Sequence, residues 1–367
     1  MPDVVTWHDL STWQFNAFDA EYSHYRSLEE KSLTEENAER YGVDITPREI
    51  VINEYAAQAE CASPGDLVRW IGLFEEYNVA GCLPFWHLSN NLNGLAAGNN
   101  EGNGAWWLYK WYGDMSGQYL PVTTSNTSKD NYYGTASLDE NKKSSSIIFG
   151  GVNGSSNIVL DNVNDTETFA DADMIHVKLE ATDYTGFHGA AEEPRVVKEG
   201  AVEVVDGKAV ISVSDMLEMS GYRLTITQAS EDETAGFLST TWKQLYEAES
   251  GTLSGGAVVG SVDGTFAGSG RQKVNALDDA GAAVDIQVTV PSDGYYKYDM
   301  VYTTGSGCNT ADPDNNTPYT AIQNLYVDGE MAEEMLLPTT LNWSMGGMYS
   351  TCLLYTSPSP RDRTRSR

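Results

Sequence analysis

The strongest constraint on the fold is an alternation of strand-like and helix-like segments over about the first 122 residues. Strand-like runs lie at 3–10, 49–55 and 80–87, and helical spacing is found at 16–39, 64–77 and 103–115. This order is the signature of parallel strands joined by crossover helices. A (β/α)₈ barrel needs eight such units, about 250 residues, and three units cannot bury both faces of their strands. We therefore expect a partial barrel, with a small open α/β sheet as the alternative.

After about residue 121 the sequence changes to short strands separated by turns. Strand-like runs recur at 147–149, 157–160, 174–179, 201–205, 209–213 and 222–226. Turn pairs such as Asn153-Gly154 and Asp206-Gly207 separate them, which predicts a β-sandwich over 124–236 with a linker at 229–236. A second all-β module is predicted over 237–355, and its first strand over 245–249. The expected fold is therefore α/β plus all-β, with two jelly-roll-like sandwiches after a partial TIM barrel in residues 1–123.

The charge of the chain excludes some classes of function. With 22 Lys and Arg against 53 Asp and Glu, the net charge is −31, which argues against a nucleic-acid partner and against docking on an anionic membrane. No stretch reaches 18 apolar residues, so membrane insertion is not expected. The 9 Trp, 21 Tyr and 9 Phe are typical of an extracellular protein that handles carbohydrate. Only 356–367, TSPSPRDRTRSR, is basic, and we interpret it as a non-native tail.

The cysteines leave two interpretations open. Cys61, Cys82, Cys308 and Cys352 form no CxxC pair, which disfavours a structural zinc site. Cys61 with Cys82 and Cys308 with Cys352 can form disulfides in an oxidising compartment. Buried thiols are the equal alternative.

Polar and aromatic residues follow each predicted parallel strand at its carboxyl end. They are Trp7-His8-Asp9, Asn53-Glu54-Tyr55 and Trp86-His87. In barrel enzymes this rim carries the chemistry. Cleavage of a glycosidic bond needs carboxyl groups, and flat aromatic rings bind sugar faces. Glu54 is therefore the candidate catalytic residue, against the alternatives of a surface acid at 54, a structural histidine at 8 and a core tryptophan at 86.

Residues 1 to about 123 resemble the end of a clan A glycoside hydrolase, similar to glycoside hydrolase family 39. The resemblance is carried by TWHDLS, IVINEYAA, SPGDLVRWIGLFEEYNVAG, FWHLSNNLNGL and NGAWWLYKWYGDMSGQYLPV. It implies a retaining double displacement with Glu54, on strand seven, as the nucleophile. It also implies that the sugar pocket is lined by Trp7, His8 and Asp9 on strand six, by Asn53 and Tyr55 beside Glu54, and by Trp86 and His87 on strand eight.

The pair Asn53-Glu54 has a second interpretation, because an Asn-Glu pair marks the acid/base on strand four in this clan. Only one further predicted strand, 80–87, follows it, whereas strand four needs four more. We therefore assign Glu54 as nucleophile and expect the acid/base to lie outside these residues. Retaining hydrolysis needs both carboxyl groups about 5 Å apart. The expectation is a fragment that is inactive as a 367-residue chain.

The second β module resembles carbohydrate-binding module families 6 and 35. The matching segments are LYEAESGTLSGGAVVG, GSGRQKV, VDIQVTVPSDGYYKYDMVY and LYVDGE. The resemblance implies a structural Ca²⁺ held by Glu247 and Glu249, whose oxygen ligands suit that ion. Two solvated acids are the alternative. Trp343 is the candidate sugar-stacking residue, or else a core tryptophan.

The predicted function is retaining hydrolysis of an O-glycosyl bond, with no cofactor for catalysis and a poly- or oligosaccharide as partner. The expected location is extracellular or at the cell surface. The rival interpretation from another class is a non-catalytic carbohydrate-binding or adhesion protein of an extracellular surface.

Overall fold

A computed structural model of the chain describes residues 3–83, 94–97, 101–125, 132–239, 241–261, 268–304, 320–340 and 346–355. The chain divides into two compact units, Met1–Tyr184 with Ala190–Lys243, and Thr185–Gly189 with Gln244–Arg367. Most of the regular structure is β, and the described residues contain four α-helices.

The first unit begins with a three-stranded parallel sheet of order β1-β2-β3. Its elements are β1 Val4–Asp9, α1 Thr12–Ser32, α2 Glu35–Tyr41, β2 Glu49–Tyr55, α3 Pro64–Tyr77 and β3 Ala80–Gly81. The strand predicted over 49–55 and the helix predicted over 64–77 are confirmed. The sheet is open among the described residues. The strand predicted over 80–87 is seen only at its first two residues, and 84–93 lie outside the described residues.

One long helix was predicted over 16–39, and the structure has two helices there. Ser11 caps α1 through the backbone N–H of Gln14, and α1 ends at Ser32. The Thr34 hydroxyl then accepts the N–H of Asn37 and starts α2. A threonine N-cap satisfies a helix-start donor that has no partner inside the helix, which explains the break.

Helix α3 is buried around almost its whole circumference from Pro64 to Phe74, and its last turn, with Glu76, reaches solvent. The sequence predicted one apolar face with Leu67, Trp70 and Phe74, but Val68 and Gly72 on the other side are buried as well. The reason is a second packing surface, because a Cβ on Gly72 would lie 2.4 Å from the carbonyl oxygen of Gly134 in the β-sandwich. The parallel sheet and the sandwich therefore share α3 as a common layer.

A short ribbon and helix α4 lead from the parallel sheet to the sandwich. The elements are β4 Ala96–Ala97, β5 Glu101–Gly102, α4 Gly104–Asp114 and β6 Gln118–Leu120. The Asn103 side chain caps α4 by accepting the N–H of Trp106. This confirms the helix predicted over 103–115.

Residues 118–239 contain a seven-stranded antiparallel sheet of order β14-β11-β10-β13-β8-β7-β6 and a two-stranded sheet, β12-β9, which contribute to one core, and this region is called the sandwich. Its strands are β7 Tyr133–Asp139, β8 Ser144–Gly150, β9 Gly154–Leu160, β10 Met174–Thr182, β11 Arg195–Glu203, β12 Ala209–Met216, β13 Gly221–Gln228 and β14 Leu238–Ser239. Alternate side chains point inward, so Val177, Leu179, Ile211 and Leu224 form part of one core.

The segment 229–236 was predicted as a linker, but it packs on the sandwich. The backbone N–H of Gly236 donates to the carbonyl of Ala201 at 2.9 Å. Glu233 Oε1 lies 2.6 Å from Nδ1 of His176, and the hydrogen bond to Glu233 raises the pKa of that histidine.

The second unit consists of antiparallel two-stranded ladders, β15-β18, β16-β17, β19-β22 and β20-β21. The strands are β15 Thr252–Ser254, β16 Val258–Ser261, β17 Gln272–Asn275, β18 Ala283–Asp285, β19 Gly294–Tyr302, β20 Thr320–Val327, β21 Glu330–Pro338 and β22 Gly347–Tyr355. The strand predicted over 245–249 is wrong. Ser250 donates both its N–H and its hydroxyl to the carbonyl of Glu247, which closes a 3₁₀ turn at Ala248–Ser250.

Candidate active site at the carboxyl ends of the parallel strands

A β-bulge at the end of β2 decides which way Glu54 points. His8 on β1 pairs with Glu54 on β2, and the residue before His8 pairs with Ile52. Asn53 is therefore an extra residue on β2. Strand side chains alternate between faces, and simple alternation from the fully buried Ile52 would bury Glu54 too. The extra residue reverses the alternation. Glu54 therefore reaches the open face of the sheet, and Tyr55 takes the buried face.

His8 and Glu54 meet on this open face. Nδ1 of His8 lies 3.4 Å from Oε2 of Glu54, and their side chains are 48% and 37% exposed. The end of β1 is held by Gln14, whose amide Nε2 donates to the carbonyl of His8 at 2.8 Å. Its Oε1 accepts the N–H of Leu10 at 2.8 Å. An imidazole and a carboxylate are thus placed side by side at the ends of adjacent parallel strands, both accessible to solvent.

Trp7 and Asp9 lie on the other face of β1, towards helix α1. The indole of Trp7 packs against Phe18 and Tyr25, with ring centroids 6.2 Å and 6.3 Å away. Its Nε1 donates to Oδ2 of Asp9 at 3.0 Å. The structure therefore brings Trp7 and Asp9 to each other, and Trp7 also lines a small open cavity with His8 and Gln14.

The carboxyl group of Asp9 is fully buried at the end of β1. Burial raises its pKa to about 7, the charge of Glu21 adds to this rise, and the hydrogen bond from Trp7 opposes it. Its second oxygen, Oδ1, has no hydrogen-bond partner among the described residues. Near neutral pH this side chain is thus partly protonated.

Tyr55 is a core residue in the structure. Only 3% of it is exposed, and its ring packs edge-on against Phe74 at 4.9 Å. Its hydroxyl forms a short hydrogen bond with that of Tyr109 on α4. Asn53 is exposed at the bulge. Of the residues predicted on β1 and β2, His8 is the one that contacts the carboxylate of Glu54 among the described residues.

The sequence-based prediction missed Glu60, a buried acid in the loop after β2. It is 1% exposed, and its Oε2 accepts the N–H of Ala57 at 2.8 Å and the indole N–H of Trp70 at 3.1 Å. Its Oε1 accepts the hydroxyl of Thr12 at 2.9 Å. One signal could have found it: Glu60 is a single acid in a run of small residues, AAQAECAS, and a buried charge needs partners.

Three predicted site residues, Trp86, His87 and Trp343, lie outside the described residues. Their roles stay predictions.

The predicted calcium ligands are half-buried at a 3₁₀ turn rather than on a strand. Oε2 of Glu247 accepts the hydroxyl of Ser269 at 2.7 Å. Oε1 of Glu249 lies 3.5 Å from the point where a Cβ on Gly270 would be. Both carboxylates therefore approach the turn at 269–271. Among the residues that the structure describes, no group of three or more His, Cys, Asp or Glu side chains is arranged for a metal ion.

Cys61 and Cys82 are thiols rather than a disulfide in the structure, and Cys61 is buried with its Sγ 3.5 Å from the carbonyl of Ala57. Cys352 is an exposed thiol, and Cys308 lies outside the described residues. Within the described ranges, no helix combines the length and the hydropathy needed to cross a membrane.

Two curated relatives are similar to nearly the whole chain. The first, 3-O-alpha-D-galactosyl-alpha-L-arabinofuranosidase of Bifidobacterium longum subsp. longum, is 29% identical over 357 residues, which is 93% of this chain and 29% of the relative. The second, 3-O-beta-L-arabinopyranosyl-alpha-L-arabinofuranosidase of Bifidobacterium pseudocatenulatum, is 28% identical over 353 residues, 90% of this chain and 34% of the relative. The chain spans about a third of the length of these relatives.

A solved structure, N2152 from Neocallimastix frontalis, is similar to this chain with a TM-score of 0.54 and 30% sequence identity. The similarity covers 62% of this chain and 54% of that one. No protein-family model matches the chain. Both curated relatives are glycosidases by name, which agrees with the predicted resemblance to glycoside hydrolases and gives no support to a non-catalytic adhesion protein.

Proposed function

We propose that residues 1–123 form the carboxyl-terminal part of the catalytic barrel of a retaining glycoside hydrolase, with Glu54 as the nucleophile. The observation that carries the proposal is the pairing of Glu54 with His8 on the open face of two adjacent parallel strands, at their carboxyl ends. Barrel enzymes use this end of the sheet for catalysis. The similarity to two glycosidases over 90% or more of the chain supports the same assignment.

In the proposed reaction, an oxygen of the Glu54 carboxylate attacks the anomeric carbon and forms a glycosyl-enzyme ester. The bond from that carbon to the leaving oxygen breaks, and a second carboxyl group gives this oxygen its proton. Water then attacks the same carbon, loses a proton to the second carboxylate and releases Glu54. His8 orients the nucleophile when its Nδ1 carries the hydrogen, because that atom faces Oε2 of Glu54 at 3.4 Å.

We assign the second carboxyl group to a βα unit outside these 367 residues, since the relatives are about three times as long as the chain. For the substrate we propose an α-L-arabinofuranosyl group that carries a sugar at O3. Both relatives are named for that linkage, although they differ in the outer sugar. The outer sugar of the substrate is therefore left open.

Chemical rescue tests the role of Glu54. In the longest product that the gene encodes, Glu54→Ala should lower kcat on an aryl α-L-arabinofuranoside by at least about a thousandfold. Azide should restore turnover and give an arabinofuranosyl azide of inverted anomeric configuration, because azide enters from the face that the nucleophile normally occupies. An azide of retained configuration would identify Glu54 as the acid/base and overturn the assignment.

Glu49→Ala is the matched control, because Glu49 is an exposed acid at the opposite end of the same strand. Its kcat should stay within about twofold of the wild-type value. A wild-type product that hydrolyses no arabinofuranoside and no other aryl glycoside would overturn the proposed function as a whole.

For the second β unit we propose sugar binding with a structural Ca²⁺ at Glu247 and Glu249. The support is the approach of both carboxylates to the turn at 269–271. Calorimetric titration with Ca²⁺ tests the ion directly. Equal heats for the wild-type protein and a Glu247→Gln, Glu249→Gln double variant would refute this part, whatever the enzyme activity.

A further inference from the structure

We propose that Glu60 is a positioning residue that fixes the spacing between His8 and Glu54. Its carboxylate joins the loop that follows β1 to the loop that follows β2, and these two loops begin directly after the candidate residues. The inference rests on the proposed function, since it assigns Glu60 a part in the same reaction. Glu60 itself is buried and does not reach the open face.

The hydrogen bonds of Glu60 define this junction. Thr12 is the first residue of α1, four residues after His8, and its hydroxyl donates to Oε1 at 2.9 Å. Ala57 lies three residues after Glu54, and its N–H donates to Oε2 at 2.8 Å. Trp70 of α3 donates to the same oxygen at 3.1 Å. One carboxylate therefore ties three segments together.

All three of these partners are donors, so the junction needs Glu60 as an acceptor on both oxygens. The guanidinium of Arg69 lies 3.8 Å from Oε1 and supplies a positive charge. Arg69 is shared with Asp66, which it contacts at 2.5 Å. Burial and the negative charge of Asp66 raise the pKa of Glu60, and Arg69 opposes the rise. The ionised form of the Glu60 carboxyl group is therefore energetically unfavourable in this junction.

The loop after β2 needs such a junction because its backbone is strained. Ala56 and Ala62 have φ values of 76° and 64°, in the left-handed region that disfavours residues with a Cβ. The N–H of Ala56 donates to the carbonyl of Asp9 at 3.0 Å, which makes a second link between the loops. Without the Glu60 carboxylate the loop can relax, and Glu54 then moves relative to His8.

The chain offers a matched control at the other end of the sheet. Glu29 on α1 is 4% exposed, and its Oε1 accepts the N–H of Arg48 at 2.7 Å and the hydroxyl of Tyr25 at 3.0 Å. Its Oε2 accepts Arg26 at 2.6 Å. Glu29 thus accepts the same kinds of hydrogen bond as Glu60. It holds the segment that precedes β2, whereas Glu60 lies in the loop that follows β2.

The first test compares Glu60→Gln with Glu29→Gln in the longest product of the gene. We expect both variants to lower the Tm, and only Glu60→Gln to lower kcat, by about ten- to a hundredfold with KM within about twofold. A displaced nucleophile affects the chemical step more than binding. Equal kcat values for the two variants, or an unchanged kcat in Glu60→Gln, would overturn the proposal.

A milder pair covers the case in which Glu60→Gln does not fold. Thr12→Val removes one hydroxyl donor from Glu60, and Thr182→Val removes a buried hydroxyl donor from the carbonyl of Gly104. We expect Thr12→Val to lower kcat at least about threefold, with Thr12→Ser restoring it, and Thr182→Val to leave it unchanged. Similar kcat values for Thr12→Val and Thr182→Val would count against Glu60.

A third measurement does not depend on glycosidase activity. In the 367-residue chain, Glu54→Gln should shift the imidazole NMR resonances of His8, which are assigned by their loss in His8→Gln. If Glu60 sets the spacing, this shift should largely disappear in a Glu60→Gln background and persist in a Glu29→Gln background. An unchanged shift in both backgrounds overturns the positioning role. An inactive wild-type enzyme with the expected NMR result would overturn only the proposed function.

Discussion

The two ends of the parallel sheet each hold buried acids, but in opposite electrostatic surroundings. At the amino ends Glu29 faces Arg26 and the backbone N–H of Arg48, and although burial raises its pKa, these donors lower it below the usual range. At the carboxyl ends Asp9 and Glu60 lie near the further acids Glu21 and Asp66, and their pKa values are raised. The pKa shifts are opposite because the hydrogen bonds to Glu29 outweigh the effect of its burial, whereas burial prevails at Asp9 and Glu60 and the neighbouring acids add to it.

This contrast separates a stabilising end of the sheet from a functional one. The amino end favours the charged form of its acid, so ionisation there contributes to folding. The carboxyl end keeps two acids in unfavourable surroundings, together with a bulge and two alanines in the left-handed region. Folded proteins keep such costs mainly where function requires them. These energetically unfavourable features thus lie at the end of the sheet where Glu54 and His8 meet.

Insertion of an alanine between Asn53 and Glu54 should have the largest effect. With the bulge kept at Asn53, the inserted residue takes the position opposite His8, and strand alternation moves Glu54 to the buried face against α3 and Tyr55 to the open face. Burial of an unpaired carboxylate should lower the free energy of unfolding by at least about 4 kcal/mol, measured by urea denaturation. Asn53→Ala keeps the bulge and the chain length and should cost less than about 1 kcal/mol. An insertion variant as stable as Asn53→Ala would show that strand alternation after the bulge does not set the face of Glu54.

The pH dependence of stability should reveal Asp9. Its pKa is raised from an ordinary value of 3.8 to about 7, so the folded state binds this proton more tightly than the unfolded state. The resulting stability is complete below pH 3.8 and is lost as the pH rises through 7. From pH 4 to pH 8 the wild-type protein should therefore lose stability relative to Asp9→Asn, by up to about 4 kcal/mol.

Urea denaturation of both proteins across this pH range measures that difference. Glu29→Gln should give the opposite slope in a series extended below pH 4.5, because the pKa of Glu29 is lowered from 4.5 and the wild-type protein loses its contribution there as the pH falls. Parallel pH profiles for Asp9→Asn and Glu29→Gln would remove the contrast between the two ends of the sheet.

The smallest effects are expected from two helix caps at opposite ends of the sheet. Ser63 caps α3 by accepting the N–H of Asp66 at 3.4 Å, and Thr34 caps α2 by accepting the N–H of Asn37 at 3.2 Å. Ser63→Ala and Thr34→Ala should each cost about 1 kcal/mol in thermal unfolding. Only Ser63→Ala should also lower kcat, since Ser63 ends the loop that holds Glu60. An equal loss of kcat in both variants would indicate a general loss of folded protein.

The sequence was sufficient to predict the parallel strand at 49–55 and helices α3 and α4. Their signals are local, such as Ser63 followed by Pro64 at the start of α3. The burial of α3 around almost its whole circumference could not be predicted in this way, because it depends on Gly134, which lies about sixty residues further along the chain. The turn at Ala248–Ser250 was missed because a serine side chain closes it within a strand-like run.

At the site, the sequence placed His8 and Glu54 at neighbouring strand ends, which the structure shows. The sequence could not place both side chains on one face. Strand alternation alone puts Glu54 on the buried face, and no residue type in the segment INEY predicts the bulge. Asp9 and Tyr55 were predicted to line the pocket but are buried in the structure, whereas Trp7 packs against α1 and also lines a cavity with His8. Glu60 belongs to no motif, so only its contacts identify it.

Helix α3 has a consequence for how the first unit unfolds. The helix forms a shared layer. It packs on the parallel sheet on one side, and on the other side its Gly72 approaches Gly134 of the sandwich. Neither the parallel sheet nor the sandwich can separate from α3 without exposing apolar side chains of the helix to water. The α/β portion and the sandwich are therefore expected to melt in one cooperative transition, and a cut between them would leave each half with an unpaired apolar surface.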